Sequence, residues 1–268
     1  MSANRAWMAA LCRVLFQGEL IEPRGMATRE VLCDRIVVDM TRPIVTNRAR
    51  QIGYKFMAAE AAWILSGDDR VSTLEPYSRT VANFSDDGVV FRGAYGPKIV
   101  EQMPYVLASL RRDRPTRQAI VNIWRETPGA WKDIPCTLST QFLIRDGRLH
   151  QIVTMRSSDL WLGVPYDVFS FSMLAGYVLI ELGDPDLRLG NMYHTAGSRH
   201  LYERDWAGAN LALSNTAARF AYEPFDPALF PNGAALIEHL RAVANHDETN
   251  LRGTWMRETT TLKKETDK

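Results

Sequence analysis

The sequence predicts an α/β chain folded as one domain over residues 1–268. Three observations predict it. Helical and strand-like segments alternate along the chain without repeats or low-complexity tracts. Asp146-Gly147 separates two runs of strand character, 139–145 and 149–155, as a two-residue hairpin turn. Residues 168–182 are apolar through about four turns with no charge before Glu181, the pattern of a buried helix rather than an amphipathic one. With 268 residues, 46% hydrophobic and 24% charged, the chain can bury a sizeable core.

Each element has its own signal. Residues 3–17 carry Trp7, Leu11, Val14 and Leu15 at helical spacing and stop at Gly18. Residues 22–30 are polar and turn-like and hold Arg24 and Arg29; 31–40 read as a strand. Residues 50–65 read as an alanine-rich helix with Trp63, ending at Ser66-Gly67-Asp68, and the stretch 78–96, rich in Asp and Gly, as irregular. A helical pattern resumes over 104–112, and strands follow at 119–124, 139–145 and 149–155. Beyond Gly190 the pattern gives a strand through 200–202 and a helix over 206–219; the charged tail, 258–268, reads as mobile.

Formal net charge is +1 and the pI about 7.7, so no global field favours nucleic acid or an anionic membrane, and any anion must be bound locally. Cys12, Cys33 and Cys136 are too few and scattered for a disulfide framework and form no CxxC pair, so neither disulfides nor a metal site are expected. Residues 1–18 include Arg5 and Arg13 among apolar residues and match neither a signal peptide nor a membrane span. A soluble cytoplasmic protein is expected.

The chemistry concentrates in Asp133-Ile134-Pro135-Cys136-Thr137, Met155-Arg156-Ser157-Ser158-Asp159 and Gly163-Val164-Pro165-Tyr166-Asp167. Cys136 follows a proline at the entrance to an apolar strand, where a thiol is presented at a strand end; the alternative is a small buried hydrophobe. Arg156 ends an apolar strand, so it is an anion clamp or a structural pair with Asp159, and near a thiol it favours thiolate. Glu60 sits among Ala, Met, Trp and Ile, where desolvation makes a carboxyl an acid or base candidate, unless it lies on the helix surface. Asp167 opens the buried helix and by spacing alone reads best as its N-cap.

Together these residues resemble the thymidylate synthase family of pyrimidine nucleotide C5-transferases. Pro135-Cys136 resembles the nucleophile dipeptide, Gln141 its following strand, and Arg156 to Asp159 with Leu162 to Tyr166 the phosphate and folate segment. Residues 60–68 resemble the catalytic-glutamate helix, Ala94-Tyr95-Gly96 the Tyr-Gly turn, and His200-Leu201-Tyr202 the sugar-binding His-x-Tyr. The resemblance runs from about Arg24 to Tyr202. It implies a mixed, twisted sheet flanked by helices, with sheets back to back in a homodimer. It makes Cys136 the thiolate that adds to C6 of the pyrimidine, so that C5 attacks 5,10-methylenetetrahydrofolate as co-substrate. Arg24, Arg156 and Ser157 would hold the phosphate, with Arg117 reaching in from the partner subunit. Gln141 would join the substrate site, and His200 and Tyr202 would meet the sugar. Asp159, Leu162, Gly163 and Tyr166 would face the folate, and Glu60 with Tyr95 would manage protons.

Departures from the synthase pattern point to a cytidine nucleotide. Synthases carry Asn where this chain has Asp167; a carboxylate accepts from cytosine N4 and stabilises a proton at N3, but meets uracil O4 acceptor to acceptor. Thr137 replaces a histidine, Val81 stands where a shielding tryptophan aligns, Gln118 replaces a second arginine, and the charged end replaces an apolar closing segment. Cys136-Thr137 with Met155-Arg156-Ser157 is similar to the deoxycytidylate hydroxymethylases, which implies capture of the methylene by water: a CMP or dCMP 5-hydroxymethylase. A synthase acting on dUMP, or an inactive nucleotide-binding homologue, are the alternatives.

Overall fold

The computed structural model describes residues 1–125, 129–214 and 220–246. Strands β1 (Glu19–Ile21), β2 (Thr28–Asp39), β3 (Ile120–Asn122), β4 (Thr137–Arg145), β5 (Arg148–Asp159) and β6 (Arg188–Tyr202) form one sheet in the order β1-β2-β6-β5-β4-β3. All neighbours are antiparallel except β5 and β6. That parallel pair follows from the chain between them, which crosses over through a helix, α5 (Val164–Leu182). The sheet is therefore mixed. Asp146 and Gly147 both take positive φ, 50° and 67°, as the tight turn between β4 and β5 demands.

One sheet face carries the core. Leu149, Val153 and Met155 of β5 and Phe142 and Ile144 of β4 alternate inward, covered by α5 and by α1 (Ala3–Gln17), whose Trp7 is fully buried and donates from Nε1 to the Leu160 carbonyl at 2.6 Å. The helices α2 (Tyr54–Leu65), α4 (Gly96–Arg112) and α7 (Gly233–Asn245) pack beside α5, with the short α3 (Val71–Leu74) next to α2 and α6 (Trp206–Ser214) against α1. On the opposite face Val37, Tyr193, Ile152 and Gln141 pair side by side across four strands and stay half-exposed. No helix among the described residues is long and apolar enough to cross a membrane.

Strand pairing lapses in one row. Cys33 has no partner between the pairs Leu32–Ser198 and Asp34–Ala196, and Arg156 has none between Met155–Ala196 and Ser157–Ser198. Gly197 faces both, and a Cβ there would lie 3.0 Å from the Arg156 carbonyl, so any larger residue would have to push the row apart. Cys33 takes φ 53° in the same row, and β4 shifts register between Thr137 and Ser139. Stacked bulges of this kind re-aim side chains at a strand end, and here they sit beside Cys136 and Arg156.

The structure corrects several boundaries. The turn-like stretch 22–30 is a short 3₁₀ turn, Pro23–Gly25, between β1 and β2; its polar residues belong to an edge hairpin. The helix expected from 50 starts at Tyr54, because Gln51 adopts φ 48° and ends the preceding turn. The helix expected from 104 starts at Gly96, with Pro97 in its first turn, and keeps Pro104 inside. Strand β5 continues through Asp159, so the Arg-Ser-Ser-Asp run lies on the strand rather than beyond it. Strand β6 takes in the whole of Arg188–Tyr202. The helix expected over 206–219 is described to Ser214; its remainder and the 258–268 tail lie outside the described residues.

Candidate active site

A cleft of about 550 Å³ opens between α2, α5, the start of α4 and the loop that precedes it. Glu60, Tyr95, Asp133 and Asp167 are among its titratable groups, Leu162, Gly163 and Tyr166 form one rim, and Phe56, Trp63, Phe84 and Phe91 apolar and aromatic walls. Val81, aligned in sequence with a tryptophan, lines it too. Its volume is in the range of small-molecule sites. Flat aromatic walls beside the Leu162, Gly163 and Tyr166 rim suit a planar heterocycle, so these residues fit a pterin.

Cys136 is half-buried immediately before β4. Arg156 shapes its loop: the backbone N donates to the Cys136 carbonyl at 2.9 Å, Nε to the Pro135 carbonyl at 3.0 Å and Nη2 to the Ile134 carbonyl at 3.1 Å. The alternative of a structural Arg156–Asp159 pair is thereby overturned, since those carbonyls take the guanidinium. Asp133 Oδ2 accepts from the Gly93 backbone at 2.8 Å, tying the cysteine loop to the cleft's far wall. Burial pushes the Cys136 thiol up; the Arg156 charge opposes this, while Asp167, Asp133 and Asp159 add to it.

Glu60 projects from α2 into the cleft, which disposes of the surface-glutamate alternative. Burial, with Asp167 adding to it, pushes its carboxyl up to about 8. Asp167 is not the N-cap of α5. Gly163 holds that position and Asp167 lies in the first turn, its Oδ2 close against Gly163. Burial pushes Asp167 up to about 7, Arg199 pulling it down and Asp159 raising it. Tyr95 precedes α4, stacks on Phe171 at 6.2 Å and 24°, and faces Thr137; burial raises its phenol.

A second group gathers at the ends of β5 and β6. Arg24 Nη2 donates to the Tyr202 hydroxyl at 3.5 Å, and His200 meets the Tyr202 ring edge-on at 5.1 Å. Ser157 pairs with Ser198 and Asp159 with His200 across the parallel ladder. Asp159 Oδ1 accepts from the Trp161 and Leu162 backbones at 2.7 and 3.1 Å, fixing the turn into α5. Gln141 and Arg117 are elsewhere. Gln141 Nε2 donates to the Arg117 carbonyl at 2.8 Å, Arg117 is exposed ahead of β3, and neither lines the cleft.

The structure adds a cation that sequence reading passed over. Arg50 is buried at the cleft, donates from Nε to the Trp161 carbonyl at 2.6 Å, and lies over the rings of Trp161 and Tyr166 at 5.3 and 5.8 Å. Nothing in its neighbourhood, Arg48-Ala49-Arg50, sets it apart from a solvated helix start. Ser170 is buried in the cleft wall with no hydrogen-bond partner for its hydroxyl, and its spacing of three residues from Asp167 on one helix was a legible signal.

With this geometry in view, the thymidylate synthase family model matches residues 5–222. Among curated relatives, the deoxyuridylate hydroxymethyltransferase of Bacillus phage SP01 is 29% identical over 263 residues, spanning 85% of this chain and 67% of that protein.

Proposed function

Since the chain belongs to the thymidylate synthase family, and is thereby a one-carbon transferase acting on a pyrimidine nucleotide with methylenetetrahydrofolate as co-substrate, we propose that it is a 5-hydroxymethylase of a cytidine monophosphate, CMP or dCMP. Bound in the cleft, the folate supplies a one-carbon unit at the oxidation level of formaldehyde. This chain's residues do the rest. Cys136 loses its proton and adds through sulfur to C6, which makes C5 a carbon nucleophile. Arg24, Arg156 and Ser157 hold the phosphate, His200 and Tyr202 the sugar. Asp159, Leu162, Gly163 and Tyr166 hold the pterin. Glu60 and Tyr95 stand where protons near C4 and C5 must be moved. C5 takes up the carbon as its bonds to the folate nitrogens break and those nitrogens are protonated; C5 loses its proton, water adds to the carbon as hydroxyl and releases a proton, and the C6–S bond breaks, so the product is the 5-hydroxymethyl nucleotide with no change in the oxidation state of tetrahydrofolate.

The choice of base rests on one observation, the Asp167 carboxyl buried at the cleft with its titration near neutrality. A neutral carboxyl donates to cytosine N3 and accepts from N4, and it keeps the same two bonds if the proton passes to N3 as C6 is attacked. Uracil is read only by the neutral form, because the ionised one sets an acceptor against O4. With one proton shared between carboxyl and base, cytosine keeps both bonds whichever of the two holds it, whereas uracil keeps both only while the carboxyl holds it. The SP01 relative acts on deoxyuridylate, and this keeps uracil as the second reading.

The two separate in a product assay by mass with CMP, dCMP and dUMP side by side, each with methylenetetrahydrofolate. Hydroxymethylated CMP or dCMP is expected, with Asp167→Asn moving preference toward dUMP by about 10²-fold or more. Turnover of dUMP alone, or of no nucleotide, overturns the reading.

A further inference from the structure

Arg199 precedes His200 on β6 and is wholly excluded from solvent, at 0% exposure. A guanidinium does not give up its charge, so burying one demands partners. Its Nε donates to Asp34 Oδ2 at 3.2 Å, and its Nη1 to Ser158 Oγ at 2.7 Å. Its Nη2 donates to the His194 carbonyl and meets His194 Nδ1, both at 3.0 Å. Burial keeps the His194 ring neutral, so it adds no charge. Asp34 is shared with Arg13, whose Nη2 lies 2.5 Å from its Oδ1. Two guanidinium groups against one carboxylate leave the cluster net positive.

The place of this cluster in the sheet matters as much as its charge. Arg199 pairs with Val31 on β2 and with Ser158 on β5, two rows from the one where pairing lapses. Its bonds thus cross three strands near the stacked bulges, and its immediate neighbours are Ser157, Asp159 and His200. Asp167 is faced by Glu60 from α2, Tyr95 from the start of α4, Cys136 ahead of β4 and Asp159 on β5; Asp133 and the guanidinium of Arg50 line the same cleft, the latter committed to the Trp161 carbonyl and the rings of Trp161 and Tyr166. Asp167 Oδ2 lies against Gly163, whose backbone N donates to the Asp159 carbonyl, one residue along β5 from the Ser158 that Arg199 holds; through this contact chain Arg199, from β6, is the cation that favours the ionised form of Asp167.

We propose that Arg199 is a positioning residue for the reaction, a buried cation that fixes the ends of β5 and β6 under the nucleotide and stands behind the base-reading Asp167. It touches no substrate. Its effect on catalysis passes through Asp167 and His200, and so rests on the assignment of Asp167 to the base.

The test is titration of the Asp167 carboxyl in the full chain labelled with ¹³C-aspartate, its resonance assigned by loss in Asp167→Asn. Arg199→Met leaves Asp34 paired with Arg13 and is expected to raise the midpoint by about one pH unit. Arg199→Lys, which keeps the charge, is expected to hold it near the wild-type value, and Asp34→Asn, which removes the anion, to lower it. The acid limb of kcat/KM for the accepted nucleotide is expected to move with the midpoint. A folded Arg199→Met with an unchanged midpoint overturns the proposal; if that variant does not fold, an unchanged midpoint in Asp34→Asn does the same. Midpoints that shift as expected in a protein that turns over only dUMP would uphold Arg199 and overturn the cytidine reading instead.

Discussion

Glu60 shows what one side chain in the wrong solvent does to a protein. Its folded carboxyl titrates near 8 against an ordinary 4.5, so the native state binds a proton that the unfolded chain has released through most of the range between. The stability belonging to the neutral form is complete below about 4.5 and is lost as pH rises towards 8. Glu60→Gln, which cannot ionise, is expected to unfold with nearly the wild-type midpoint at acid pH. By the alkaline end it gains about 2 kcal/mol over wild type, a figure discounted because the carboxyl borders the open cleft. Denaturant titrations of both proteins across that range check it, and a difference that does not grow with pH would refute it. The same variant is expected to lose about 10²-fold or more in kcat. Glu60 was legible in the sequence because a carboxylate ringed by Ala, Met and Trp is anomalous there. Arg199 was not. A charge on a strand between Ser198 and His200 looks like a solvated edge, and its partner Asp34 is far away in sequence.

At the scale of the element, α5 was the clearest structure in the sequence and still carried a misreading. Its apolar run marks a buried helix, but Val164 to Asp167 read as its approach, so Asp167 was taken for a cap when it is a first-turn residue facing the cleft. The difference lies in Gly163, whose local turn is fixed by the Asp159 side chain, a contact no periodicity reveals. The early start of α4 was hidden in the same way, since Pro104 sits mid-helix where a proline usually argues for a boundary. Helix α5 also carries Gly176, a poor helix former kept for space: a Cβ there would sit 2.5 Å from Cε1 of the buried Phe225 ring. Helix propensity alone would make Gly176→Ala stabilising. Overpacking reverses the sign, and a loss of about 1–3 kcal/mol is expected by thermal or denaturant unfolding. A more stable variant would show that the Phe225 segment yields.

At the scale of the whole molecule, the helices among the described residues leave one sheet face uncovered. Val37, Tyr193 and Ile152 form a half-exposed apolar row across that face, and Gln141 at its end holds the backbone of the exposed Arg117. A broad, partly apolar sheet face is a natural surface for a twofold pair, in which each subunit buries the same patch. The fold itself was legible from alternating segments and the hairpin turn, whereas the pairing surface was expected only from family resemblance: half-exposed residues on alternate strand positions look like any solvent face. If the pair forms and Arg117 crosses to the partner's phosphate site, two dead variants must rescue each other. Cys136→Ala lacks the nucleophile but donates an intact Arg117; Arg117→Glu lacks the clamp but keeps its own thiol. Unfolded together and refolded as an equal mixture, they assort at random, half the dimers are mixed, and each mixed dimer has one site with both groups. Activity is then expected at about a quarter of wild type, against near zero for either variant alone. A mixture no more active than its parts, or a chain that runs as a monomer in light scattering, would mean that Arg117 serves no neighbouring site.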